Sequence, residues 1–221
     1  MSDDQRLSRR ELLKMSLAMG GVLLSGPINP LFAQSAGMVP TSEQVMGPFY
    51  PVIKPIDQDA DLTVIQGKPG KARGQVIYLV GRVKNLKGRP LPGTLVEIWQ
   101  ANSFGRYTHP NDRNPASLDP NFEGYGVSST DGEGRFRFKT IKPAPYPVSE
   151  GWIRPPHIHF KVSTGSSLLV TQMYFAGEPL NEKDRIFKTA EDKESLITKL
   201  APPTKDLEPG SLVAAWDIVL L

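Results

Sequence analysis

Hydrophobic and polar positions along this chain alternate over short runs, and glycine- or proline-containing turns separate the runs. Arg135-Phe136-Arg137-Phe138-Lys139 alternates strictly, which predicts a half-buried strand. Val76 to Val83 is a β-branched run followed by a turn at Asn85-Leu86-Lys87-Gly88. Thr94 to Gln100 carries Leu95, Val96, Ile98 and Trp99 and predicts a second strand. His157 to Val162 and Leu168 to Phe175 predict a further pair, and Leu212 to Leu220 a closing strand. Only Asp184 to Leu200 has a pattern compatible with helix. Short strands with turns between them, no strand–helix rhythm and no repeats predict an all-β fold, an antiparallel β-sandwich. Two stretches stay irregular, Ala101 to Thr130 and the proline-rich Lys142 to Pro156. Long irregular loops in a compact domain are commonly functional, so the chemistry is expected there.

The N-terminus follows a different pattern. Ser8-Arg9-Arg10-Glu11-Leu12-Leu13-Lys14 precedes a mostly apolar stretch from Met15 to Leu24, then Gly26-Pro27 and small residues around Ala33 and Ala36. A charged region, a short apolar region and a small-residue end predict an export signal over residues 1–36, and the paired arginines resemble the twin-arginine type. The apolar stretch is well short of the roughly 20 residues that span a bilayer. A cleaved signal, no stable membrane insertion after its removal, and a periplasmic or exported product are therefore expected. The twin-arginine route carries folded proteins, often with cofactor loaded, so a cofactor is expected too. Residues 37–74 predict an irregular arm wrapped over the domain, and residues 75–221 the sandwich.

With 221 residues, 39% of them hydrophobic, the chain can bury one substantial core. The net charge of +3 comes from interleaved acidic and basic residues with no basic tract, so a nucleic-acid partner is not expected. The absence of cysteine excludes disulfides, thiolate metal sites and a cysteine nucleophile. Any metal must be held by His, Tyr, Asp or Glu, which favours harder ions. A Ser-His-Asp hydrolase fails for want of a GxSxG elbow.

His157-Ile158-His159 opens a predicted strand and uses two of only three histidines. Residues i and i+2 of a strand share a face, so both imidazoles can reach one ion while Ile158 packs the other way. Two completions stay open. Asp112, Asp119 or Glu123 would give a two-His-one-carboxylate ferrous site. Tyr107 and Tyr146, one in each irregular loop, would give phenolate ligation and favour Fe(III). Periodicity does not choose between them.

The remaining motifs carry a family resemblance. Gly81-Arg82-Val83, the run from Gly88 to Asn102 with Glu97-Ile98-Trp99-Gln100-Ala101-Asn102, and Gly105-Arg106-Tyr107 occur in order. Leu118-Asp119-Pro120-Asn121-Phe122, Thr140 to Pro147, Arg154 to Phe160 and Thr171-Gln172-Met173-Tyr174-Phe175 follow. In this ordered set the chain resembles the intradiol ring-cleavage dioxygenases, especially the protocatechuate-cleaving branch, from about Gly47 to the C-terminus.

The resemblance implies one Fe(III) per chain, with Tyr107, Tyr146, His157 and His159 as ligands and Tyr146 as the tyrosinate displaced by substrate. It implies that Arg154 and Gln172 line the substrate and oxygen pocket, that Trp152 and Ile186 border it, and that Tyr174 supports it. The reaction implied is cleavage of a catechol-type ring by O2 between its hydroxyl-bearing carbons, to a muconate-type diacid. Homo- or hetero-oligomers are both compatible. His109, Glu97 and Asp119 are expected to be structural. Because the chain before Thr41 is assigned to signal and linker, no counterpart of the family's N-terminal substrate-contacting segment is expected. The competing expectation is a non-enzymatic sandwich, a binding or transport module, which the fold alone would also allow.

Overall fold

The computed structural model describes residues 37–55 and 57–221. The export-signal expectation for residues 1–36 lies outside the described residues. Of the described residues, none is in an α-helix, and the strands run in chain order as β1 (Val76–Asn85), β2 (Leu95–Trp99), β3 (Tyr125–Ser129), β4 (Arg135–Ile141), β5 (Tyr146–Ser149) and β6 (Trp152–Arg154). They continue as β7 (His157–Ser163), β8 (Leu168–Phe175), β9 (Ile197–Thr198), β10 (Leu200–Ala201), β11 (Leu212–Ala215) and β12 (Ile218–Leu220).

One sheet is built on β1, which pairs along its length with antiparallel β4 and on its other edge with β11 and then β12. The single closing strand expected over Leu212 to Leu220 is thus two, broken at Trp216-Asp217. The physical cause lies opposite, at Gly81, where any Cβ would overlap the Trp216 carbonyl oxygen. Trp216 N–H still donates to Val80 O at 2.9 Å, and the Asp217 carboxylate takes the Arg82 N–H at 2.9 Å. A side chain thus replaces one ladder acceptor where the backbone is displaced.

The second sheet has the order β3-β2-β7-β8-β9, and β5-β6 is a separate hairpin. Most pairs are antiparallel, as expected, but β1–β11, β1–β12 and β8–β9 are parallel. Parallel pairs need long crossover connections, which the turn-rich segment between Phe175 and Ile197 supplies for β8–β9. That segment is not the helix the pattern allowed. It holds three 3-10 turns, Asn181–Lys183, Phe187–Thr189 and Glu194–Leu196. Side-chain carboxylates divert the backbone: Asp184 accepts from the N–H groups of Ile186 and Phe187, and Asp192 from that of Glu194. Both irregular loops also contain strands that alternation did not reveal, β3 in the first and the β5-β6 hairpin in the second.

The core lies between the two sheets. Ile77, Leu79, Phe136 and Phe138 from one face Val96, Ile98, Ile158, Phe160 and Val162 from the other. Alternation then sends Glu97, Trp99, His157, His159, Gln172 and Tyr174 to the opposite face of the second sheet. These residues are buried as well. The N-terminal arm and the irregular loops cover them, and a second aromatic cluster of Trp99, Tyr107, Tyr125 and Tyr146 forms there with Phe49 and Tyr50 against it. Backbone bonds tie the arm down, from Thr41 N–H to Val219 O at 3.0 Å, Gln44 N–H to Val170 O at 2.9 Å and Leu62 N–H to Lys139 O at 2.8 Å.

Candidate metal centre

Strand register sets the site. Trp99, His159 and Gln172 lie side by side across β2, β7 and β8, and His157 is level with Tyr174. The two imidazoles are 4.9 Å apart between ring centroids, on the face away from Ile158. His157 Nδ1 is 2.7 Å from Pro155 O. With the proton placed there as donor, Nε2 keeps a lone pair and lies 3.5 Å from the Tyr107 hydroxyl oxygen. His159 stacks on the Trp99 indole at 4.9 Å and 11°, and its Nδ1 has no hydrogen-bond partner among the described residues. Burial first, and then the Arg154 charge, hold both imidazoles well below the usual histidine pKa, so both are neutral donors at neutral pH.

The two tyrosines arrive on the two irregular loops, which meet at Gly105. This glycine has φ +81°, and a Cβ on it would overlap Pro145 O, next to Tyr146. Asp112 accepts the Tyr107 N–H at 2.7 Å, and Asn114 donates to Gly105 O at 2.8 Å, which holds the first loop closed. The Tyr107 and Tyr146 rings stand perpendicular with centroids 5.5 Å apart. Tyr146 is 5.6 Å from His157 and Tyr107 is 6.3 Å from His159 by the same measure. Burial, then the neighbouring Tyr146, pushes the Tyr107 phenol well above its ordinary range, and burial also raises Tyr146. Both phenols are therefore protonated unless a cation displaces the protons.

Arg154 pairs with Tyr146 across the β5-β6 hairpin and is buried. Its Nη2 donates to Gln172 Oε1 at 2.7 Å, Tyr174 Oη at 2.8 Å and Asp184 Oδ2 at 2.8 Å, while Nε reaches both Asp184 oxygens at 3.3 Å. Its Nη1 has no hydrogen-bond acceptor among the described residues. Burial disfavours the guanidinium charge, but the Tyr174 and Tyr146 phenols and the Asp184 carboxylate outweigh it and raise the Arg154 pKa. Gln172 Nε2 donates to Val45 O at 2.7 Å, so the arm is tied to the same network.

A cleft of about 450 Å³ opens on this cluster. Tyr146, Arg154, His159, Trp152 and Ile186 line it, together with Gly47-Pro48-Phe49 of the arm and residues 111–115 of the first loop. A more open groove of about 870 Å³ runs over Val80, Arg82, Arg137 and Trp216, but no histidine or tyrosine lines it.

Tyr107, Tyr146, His157, His159, Arg154 and Gln172 thus come together, with Tyr174 behind Arg154 and Trp152 and Ile186 on the cleft wall. Trp152 Nε1 also donates to Asp184 Oδ1 at 3.1 Å. Asp119 accepts the N–H groups of Arg73 and Asn121, Glu97 is a buried ion-pair centre, and His109 Nδ1 accepts from Asn111 N–H at 3.1 Å. Three residues of the site were not anticipated: Asp184, Trp99 as a stacking partner, and Phe49 as a wall; Asp112, weighed as a carboxylate ligand, instead accepts the Tyr107 N–H. A buried arginine does demand an anion, but nothing local in the chain marks which carboxylate supplies it.

The family model described as a dioxygenase matches residues 45–221. The protocatechuate 3,4-dioxygenase beta chain of Burkholderia cepacia is 42% identical over 205 residues, covering 88% of this chain and 83% of that one. The chain belongs to the intradiol dioxygenases. This dioxygenase is also 30% identical to catechol 1,2-dioxygenase of Candida albicans, over 76% of its own length and 57% of the relative's. Among solved structures it resembles the dioxygenase domain of a dioxygenase carbohydrate-binding protein fusion from Streptomyces sp. SirexAA-E. The TM-score is 0.62 at 28% identity, covering 82% of this chain and 98% of that one. Catechol 1,2-dioxygenase from Pseudomonas arvilla C-1 gives a TM-score of 0.63 at 26% identity over 81% of this chain and 62% of that one. Enzymes of this family are oxidoreductases that use non-haem Fe(III). Two neutral imidazoles and two phenols, buried together without a thiolate, are a donor set suited to a hard trivalent ion.

Proposed function

We propose that this intradiol dioxygenase holds one Fe(III) through Tyr107, Tyr146, His157 and His159 and cleaves a single-ring catechol between its hydroxyl-bearing carbons, to a muconate-type diacid. The observation that carries the proposal is the convergence of those four side chains, two of which, Tyr146 and His159, line the cleft that also contains Arg154. When bound, the iron would activate the deprotonated diol toward O2 and hold it in place. The two tyrosines then differ in role. Tyr107 Oη is held against His157 Nε2, whereas Tyr146 borders the cleft, with the Arg154 guanidinium and the Tyr107 hydroxyl as its polar neighbours. Tyr146 is the phenolate free to leave and accept a substrate proton, so no separate general base is needed.

Phe49, Pro48, Pro115, Trp152 and Ile186 give the cleft flat apolar walls suited to an aromatic ring. Nε and Nη2 of Arg154 are committed to Asp184, Gln172 and Tyr174, which fixes the guanidinium plane. Nη1 is left to stabilise negative charge that develops on the ring. The relatives named for protocatechuate and catechol support a substrate of the catechol class, with or without a ring carboxylate.

Visible spectroscopy and iron quantification on the purified protein test the site. A broad phenolate-to-Fe(III) band with one iron per chain supports it, and a colourless, fully metallated protein overturns it. Oxygen uptake with catechol, protocatechuate and hydroxyquinol identifies the substrate. Export to the periplasm through Arg9-Arg10 belongs to the same proposal. It predicts that replacing both arginines with lysine retains the protein in the cytoplasmic fraction, and unchanged export of that variant refutes it.

A further inference from the structure

A second cluster of acidic groups lies away from the iron-binding face, where the arm meets β3. One carboxylate oxygen from each of Asp57, Asp59 and Glu123 lies within 4.8 Å of the others. Glu123 is only 8% exposed, and its Oε2 is buried with no hydrogen-bond partner among the described residues. A buried, unpartnered carboxylate facing two more carboxylates is a costly arrangement for the protein alone. The neighbours do not relieve it. Asp57 Oδ2 accepts the Gln66 N–H at 2.8 Å and Asp59 Oδ1 the Asp61 N–H at 2.6 Å, and the other oxygen of each has no hydrogen bond among the described residues. Asp61 is already served by Thr63 and lies 3.8 Å from Lys139. Lys68, on the wall of the adjoining cavity, donates to Pro120 O at 2.7 Å.

We propose that Asp57, Asp59 and Glu123 bind one divalent hard cation of calcium size, which ties the N-terminal arm to the edge of the second sheet. Calcium takes carboxylate oxygens at roughly 2.3–2.6 Å, so three oxygens within 4.8 Å of one another can share one ion after shifts of at most a few tenths of an ångström. Asp57 and Glu123 also border a cavity of about 580 Å³, which leaves room for the waters that complete a calcium shell. Burial, then the charges of Asp57, Asp59 and Asp61, raises the Glu123 carboxyl to about 8, so in the absence of a cation a proton occupies the place the cation would take. The site closes a contact the backbone already makes: Glu123 N–H donates to Leu62 O, and Val127 N–H to Gln58 O and Asp59 O, each at 3.2 Å. Among the described residues no hydrogen bond joins Asp57, Asp59 or Glu123 to the four proposed iron ligands, though Glu123 and Tyr107 border one cavity, and the inference does not depend on the iron reading.

The test is titration of the full-length, iron-loaded protein with CaCl2 in metal-stripped buffer, followed by calorimetry and thermal melting. One calcium per chain and a melting rise of about 5 °C or more at a hundredfold excess over Kd are expected. Glu123→Gln removes the repulsion and one ligand, so it should melt at or above the wild type without calcium and show neither heat nor shift with it. Asp59→Asn is a second probe, and decides the matter should the first variant fail to fold. No heat and no shift in the wild type up to about 10 mM calcium, beyond the weak end for calcium modules, overturns the site. An undiminished response in both variants overturns it equally. Tighter binding of MgCl2 than of CaCl2 overturns the assignment to an ion of calcium size.

Discussion

Removing the Arg154 side chain should damage both turnover and stability, and the two effects can be separated. Asp184 is fully buried and accepts from Arg154 Nε and Nη2, Trp152 Nε1, the Tyr174 hydroxyl and two backbone N–H groups. Arg154→Leu leaves this carboxylate without its counter-charge. Breaking one partner of a buried pair typically costs about 3–5 kcal/mol, whereas removing both charges costs far less. For a domain of this size, that corresponds to a fall in Tm of roughly 6–20 °C. The double variant Arg154→Leu/Asp184→Asn should recover at least about half of the loss, because the amide can stay buried on the remaining donors.

Thermal melts of wild type, single and double variants at matched iron content make the comparison. Turnover should fall about 10²–10³-fold in both variants, the scale of losing one donor to developing charge. The visible band should persist in both, because Arg154 is not among the proposed ligands. A single variant that melts within about 2 °C of wild type would refute the buried-pair argument. So would a double variant no more stable than the single one. Unchanged turnover would remove Arg154 from the chemistry.

Other expectations follow from single positions. Tyr107→Phe and His157→Ala should each lower iron content and abolish most of the visible band, whereas a change at an exposed residue away from the cleft, such as Lys205→Ala, should not; colour and metal analysis decide. Gly105→Ala should destabilise the fold by about 1–3 kcal/mol, since the residue sits at φ +81° against Pro145 O, and should lower iron occupancy by separating the tyrosine loops; full occupancy with an unchanged melt would refute this. Burial works to raise the Glu97 pKa, but hydrogen bonds from Lys54, Tyr125, Tyr50 and Lys161 outweigh it and hold the carboxyl at about 2. Its folded pKa therefore lies below the ordinary value of 4.5, so its stabilising contribution is complete above that value and is lost as pH falls from there through about 2. Urea titrations should show Glu97→Gln with a flatter acid-side loss of stability than wild type, and identical slopes would refute the assignment.

Strand alternation was enough to place His157 and His159 on one face with Ile158 on the other, and the β4 and β8 patterns are equally plain in the chain. The failures have specific causes. Leu212 to Leu220 is apolar except for Asp217, and one charged residue does not by itself announce the break that the Gly81–Trp216 contact imposes. Asp184 to Leu200 has helical spacing, but its carboxylates bond the backbone and leave only 3-10 turns. Tyr125 to Ser129 becomes a strand because β2, distant in sequence, offers it a ladder, whereas β5 and β6 pair only with each other, in a proline-rich stretch that shows no alternation.

At the proposed centre, the chain by itself determined a pair of histidines on a common strand face, the lack of thiolates, and hence a preference for a hard ion. The family motifs added Tyr107 and Tyr146, which periodicity could not select. Tertiary structure alone decided that both phenols converge on the two imidazoles, that Asp184 neutralises Arg154, and that Phe49 of the arm walls the cleft. Alternation is a local property of a strand, written every second residue. Loop packing and ion pairing depend on contacts between distant segments, and no short-range pattern encodes which ones meet.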